Sequence, residues 1–148
     1  MKKLFFINAL IIYLCFTLNI SAKESDYFIQ GIKLFNKKDF DKSKILFERD
    51  LVFNPKNEKS YLYLAKIFNK NDNIEEEEIN LSNVLLLNPK NDEAIYLLAL
   101  IKIEQSDYKK AKELIDQLAL VCKSYCTKKE EIELKLKKLT PENAKNNN

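Results

Sequence analysis

The chain has no histidine, a single glycine and only three prolines among its 148 residues. Without histidine there is no Ser-His-Asp or Cys-His catalytic group, and no histidine-ligated metal. One glycine cannot furnish a phosphate-cradling loop or a dinucleotide fingerprint, which need several. So little Gly and Pro also starves the tight turns of a β-rich fold, while the abundant Leu, Lys, Glu and Ile favour helix. No catalytic residue, cofactor or metal site is expected. A charge excess is missing too. The formal net charge is +3 from 25 basic and 22 acidic residues; leaving out Lys2 and Lys3, which sit in an N-terminal leader, gives 23 against 22, or +1. Near-neutrality gives no electrostatic footprint for nucleic acid. The length suits one small domain.

The leader is Met1-Lys2-Lys3 followed by an apolar run, Leu4–Leu18, broken by Asn8 and Thr17, and then Ile20-Ser21-Ala22. A positive start, an apolar centre and a small terminal residue describe a secretory signal peptide cleaved before Lys23. At 1.5 Å per residue the run reaches about 22 Å, short of the ~30 Å hydrocarbon core. The expectation is export to the bacterial periplasm or beyond. An uncleaved leader would instead anchor the protein in the inner membrane, facing the periplasm, and would be its only membrane contact. Cys15 follows Ile12-Tyr13-Leu14 rather than small residues, which does not suit a lipoprotein attachment site.

Asn54-Pro55-Lys56-Asn57 occurs again as Asn88-Pro89-Lys90-Asn91, 34 residues later. The match runs on, with Glu58–Ala65 lying over Asp92–Ala99. Proline lacks an N–H and disfavours α geometry in the residue before it, so each Asn-Pro ends a helix. Asn57 and Asn91 can then cap the next. A second anchor keeps the same period: Asp39, Asn73 and Asp107 are each 34 apart and precede Phe40, Ile74 and Tyr108. Each is a helix start. Between anchors, Tyr27, Gly31 and Leu34, then Phe40, Ser43 and Phe47, keep helical spacing, which makes them the packed stripes.

This pattern resembles the tetratricopeptide repeat, in which an aromatic, a Leu-Gly or Leu-Ala, a capped turn, a small residue, a Phe-like residue and a closing Pro recur. Repeat 24–57 supplies Tyr27, Gly31, Phe40, Ser43, Phe47 and Pro55; repeat 58–91 supplies Tyr61, Leu64, Ala65, Phe68, Ile74, Leu81 and Pro89. Repeat 92–125 supplies Leu98, Ala99, Tyr108, Ala111 and Ile115, with Lys123 where the third Pro would stand. Asp50 and Glu77 occupy places where small residues are usual, so looser or solvent-facing packing is expected there. The resemblance implies an all-α fold, a right-handed superhelical stack of three helix pairs. A further amphipathic helix, 127–139, has Ile132, Leu136 and Leu139 on one face to cap the stack. Domain 23–139 then ends in a frayed tail, 140–148.

In such stacks the first helix of each pair lines the concave side. One residue round from the packed stripe lie Phe28, Ile32 and Phe35, then Leu62, Lys66 and Asn69, then Tyr96, Leu100 and Ile103. Seven of these nine are apolar or aromatic, a cluster that would mark a partner site if exposed. The expected partner is a protein or peptide whose apolar or amphipathic segment lies in the groove; the alternative is a tight superhelix in which these side chains pack on each other. Family members that clamp a terminal carboxylate use Lys, Asn and Arg here, whereas this chain has Phe28, Ile32, Tyr63 and Leu97. Lys59, Lys66 and Lys70 form a basic edge that reads as a solvated face.

Cys122 and Cys126 bracket the third corner and are the two cysteines left once Cys15 departs with the leader. They are either a disulfide replacing the missing proline or two small buried hydrophobes. The run Glu75–Glu78 follows the Asn73 cap, where acids complement the helix dipole, so it reads as a helix start and not a metal site. Together these features predict a non-enzymatic interaction scaffold of the bacterial cell envelope. The other readings are a structural subunit of an envelope assembly or secretion machine, using its convex surface or ends, and an enzyme accessory. An uncovered flank or groove could also pair two copies.

Overall fold

A computed structural model describes residues 24–140; the expected leader, and the expected tail beyond Thr140, lie outside the described residues. Among the described residues seven helices follow one another: α1 (Asp26–Asn36), α2 (Phe40–Phe53), α3 (Glu58–Lys70), α4 (Ile74–Leu87), α5 (Asp92–Glu104), α6 (Tyr108–Val121) and α7 (Cys126–Leu139). The fold is all-α. Helices pair as α1 with α2, α3 with α4 and α5 with α6; each pair packs on the next, and α7 closes the stack against α5 and α6.

Local chemistry explains where the helices start. Asp39, Asn73 and Asp107 accept hydrogen bonds from the backbone N–H of Lys42 (3.4 Å), Glu76 (3.2 Å) and Lys110 (3.0 Å). Asn57 and Asn91 do the same for Lys59 (3.2 Å) and Ala94 (3.0 Å). The turn inside each pair is closed by a residue with positive φ: Lys38 (63°), Asp72 (54°) and Ser106 (60°). The N–H of the cap that follows reaches five residues back, as from Asp39 to Leu34 O (3.0 Å) and from Asp107 to Lys102 O (2.8 Å). Glycine usually takes the left-handed position of this helix ending. Three other residues take it here, a backbone requirement that only the 34-residue spacing betrays.

The interior has two parts. Around the first pair it is aromatic: Phe28 and Phe47 are buried, and Tyr63 stacks on Phe47 with ring centres 4.9 Å apart. Gly31 is needed there, because a Cβ on it would come within 2.7 Å of the Phe47 ring. Around the second and third pairs it is aliphatic, with Ile95, Ala99, Ile115, Leu118 and Ile132 each at most 2% exposed. Burial of each large side chain contributes about 1.5–3 kcal/mol, so this continuous cluster is the main source of cohesion. From α7 it takes Ile132 and Leu136, whereas Leu139, expected on the same face, is 46% exposed at the helix end.

One packed stripe differs from expectation. Phe28 and Gly31 are buried, while Tyr27 is 36% exposed and stacks on Phe53 at the end of α2, ring centres 5.8 Å apart. The stripe is rotated because α3 leans its Tyr63 onto α1, edge-on to Phe28 (6.0 Å) and Phe35 (5.0 Å).

Candidate partner-binding face

The first helices of the three pairs lie side by side. Tyr63 joins α3 to α1 as described, and Lys66 Nζ joins α3 to α5 by an ion pair with Glu93 Oε1 at 2.8 Å. Between these struts Ile32, Phe35, Leu62, Tyr63, Tyr96, Leu97 and Leu100 are half-buried, packed at their bases on the core. The polar atoms are mutually engaged. Tyr125 donates its hydroxyl to Glu93 Oε1 at 2.7 Å and its ring lies 5.3 Å from that of Tyr96. Burial first, and then Glu93, push the Tyr125 phenol well above its ordinary value, so it stays a donor. Lys66 also sits 5.2 Å above the Tyr63 ring centre. The face therefore offers an apolar floor with one fixed charge pair across its middle.

No protein-family model matches the sequence, and no curated protein matches it at a significant level. Solved structures do match its fold. The Arabidopsis OM64 TPR domain superimposes with a TM-score of 0.69 at 17% identity, over 77% of this chain and 93% of that one. The TPR2B domain of yeast Sti1, in its pHsp70 complex, gives 0.69 at 18% identity over 78% and 96%. The chain has the tetratricopeptide-repeat fold. A bacterial example is the Yersinia enterocolitica type III secretion chaperone SycD in complex with a peptide of the translocator YopD, at 0.69 and 8% identity over 76% and 91%. Identities this low speak for the fold alone.

Among the nine expected face residues of this repeat stack, two belong elsewhere. Phe28 is 1% and Ile103 4% exposed, so both are core. Phe28 is covered by Tyr63 and by Lys59, whose Nζ lies 5.9 Å from the ring centre. Ile32, Phe35, Leu62, Tyr96 and Leu100 share the face, with Lys66 in its ion pair. Asn69 is exposed and turns its amide to Glu77, 3.2 and 3.1 Å from the two carboxylate oxygens. Tyr63 and Leu97, expected where family members carry a carboxylate clamp, are half-buried on this face. Glu93 and Tyr125 were not expected there, because their pairing spans a whole repeat.

The two acids expected in loose or solvent-facing packing are instead buried: Asp50 is 0% and Glu77 3% exposed. Asp50 sits inside the first corner. Ser25 donates to its Oδ1, as does Asn54 at 2.9 Å, while Asn57 (2.6 Å) and Ser60 (2.5 Å) donate to Oδ2. Burial acts to raise this carboxyl, but the four side-chain donors outweigh it and hold it below its ordinary value. Glu77 has Asn69 alone as side-chain donor; burial, helped by the charge of Glu104, raises its carboxyl. Glu77 and Glu104 line a cavity of about 260 Å³ beside the face, with Asn69, Leu97 and Leu100.

That leaves the acidic run and the cysteines. Glu75 and Glu76 are exposed in the first turn of α4, Glu77 is buried, and Glu78 reaches Lys102 and Gln105 on the next pair. Among the described residues no cluster of acids or cysteines could hold a metal. Cys122 and Cys126 are joined through their sulfurs, with Cα atoms 5.2 Å apart. Asp92 completes that corner by accepting from the backbone N–H groups of Lys123 (2.7 Å), Ser124 (2.7 Å) and Tyr125 (3.1 Å).

Proposed function

We propose that this protein is a non-enzymatic scaffold that binds an apolar or amphipathic segment of a protein partner on the face formed by α1, α3 and α5. The observation that carries the reading is the half-buried apolar floor of Ile32, Leu62, Tyr96 and Leu100, crossed by the Lys66–Glu93 ion pair. Apolar side chains on a concave surface with few polar groups suit helix-in-groove recognition. The SycD structure, in complex with a peptide of the translocator YopD, supports peptide binding by this fold. Without histidine the chain lacks the side chain most often used for general acid–base catalysis.

Leu62→Glu and Leu100→Glu should each abolish capture of the partner cross-linked in its own cells, while circular dichroism remains helical. Undiminished capture by folded variants would move the binding surface elsewhere. We further propose that the protein works in the bacterial envelope, exported by its leader 1–22. The Cys122–Cys126 bridge supports this, since such bonds persist in oxidising compartments. The protein purified from the envelope without reductant should show no reactive thiol at these positions; two free thiols would argue against export.

A further inference from the structure

The outer ends of the second helices carry a periodic feature that the partner-binding face does not use. Val52, Leu86 and Leu120 are each the last residue but one of α2, α4 and α6, spaced 34 apart, and are 76%, 80% and 86% exposed. Single exposed hydrophobics are ordinary, but recurrence at the same place in every pair is not scatter. Their helix ends lie along one edge, stitched by bonds between successive corners. Lys59 pairs with Glu24 (2.6 Å), Asn88 donates to Glu58 (3.0 Å), and Gln117 donates to Pro89 O (2.8 Å).

Each apolar tip is followed by an exposed lysine in the adjoining corner: Lys56, Lys90 and Lys123. The acids nearby are mostly engaged. Glu24 and Glu58 hold the bonds just named, and Asp92 accepts three backbone N–H groups, which leaves Asp26 to count against the three lysines. Apolar side chains that enter the acyl boundary beside lysines that meet anionic headgroups are the chemistry of an interfacial membrane contact. The path of the chain agrees. Residues 1–23, with the apolar run Leu4–Leu18, join the described fold at Glu24, on this edge and beside Phe53.

We infer that this corner edge is a membrane-docking surface, which rests the stack on an anionic bilayer and leaves the α1–α3–α5 face free. The inference does not depend on whether the leader is kept: a cleaved protein would dock peripherally, and an anchored one would lie on this edge. The chain contains no tryptophan, so a single substitution reports its own surroundings. Leu86→Trp and Leu120→Trp, in the full chain as recovered from cells, should shift to shorter emission wavelength. They should also be shielded from acrylamide on addition of phosphatidylglycerol vesicles, but not of phosphatidylcholine ones. Lys109→Trp, at the opposite end of α6, should not respond. Replacing Lys56, Lys90 and Lys123 by Glu should weaken the partition about 100-fold. No shift at Leu86→Trp and Leu120→Trp, or an equal one at Lys109→Trp, overturns the inference. So does a shift without vesicles that grows with protein concentration, which would assign the edge to a second copy of the chain.

Discussion

Asp50 and Glu77 are both carboxylates with almost no exposed surface, on the neighbouring helices α2 and α4, yet their surroundings push them in opposite directions. Asp50 gathers four side-chain donors, two from the corner asparagines, one from Ser25 at the cap of α1 and one from Ser60 in the first turn of α3. Glu77 has one, and a second acid, Glu104, adds repulsion. Burial alone therefore does not decide whether an acid stabilises this fold. The number of donors brought to it does, because each donor replaces water that the carboxylate lost. The first corner is a lock, and the Glu77 site is a tolerated cost beside the proposed partner-binding face.

The largest test of this contrast is Asp50→Ala. It strips the acceptor from four buried or part-buried donors and should cost about 3 kcal/mol, lowering Tm by roughly 10 °C. A loss below that of an ordinary surface change would mean that the donors find other partners. Asp50→Asn, nearly isosteric, should lose less at neutral pH and reveal the charge. Because the native carboxyl lies below its ordinary 3.8, its contribution is complete above that pH and is lost as pH falls through the native value. The advantage of wild type over Asp50→Asn should therefore shrink in acid, as read by urea titrations across that range. Glu77→Gln should act the other way and by less. Its carboxyl is raised above 4.5, so ionisation costs stability at pH 7, and the amide should gain about 1 kcal/mol there, a gain that fades below pH 4.5. A destabilised Glu77→Gln at pH 7 would show that the Asn69 contact outweighs desolvation.

Much of this architecture is legible residue by residue. Pro55 and Pro89 announce where α2 and α4 stop, and Asp39, Asn73 and Asp107 announce where α2, α4 and α6 begin, because both effects act within a few residues of chain. The face was only partly legible. Leu62, Tyr96 and Leu100 follow from helical phase, but Phe28 and Ile103 are in the core. The phase at which a stripe points inward depends on how far α3 leans over α1, and that lean is set by aromatic packing between Phe28, Phe35 and Tyr63.

The 34-residue period, the helix ends and the all-α class are properties of the sequence itself, since capping, proline geometry and helical periodicity are local and survive without any neighbour. The fates of Asp50 and Glu77, the tie of Asp92 to the third corner, and the pairing of Lys66, Glu93 and Tyr125 came only from the assembled stack. Each depends on groups from different helices meeting in space. Whether a charged side chain ends buried and satisfied, or buried and strained, is fixed by which donors another repeat brings to it, and no single stretch of chain carries that information.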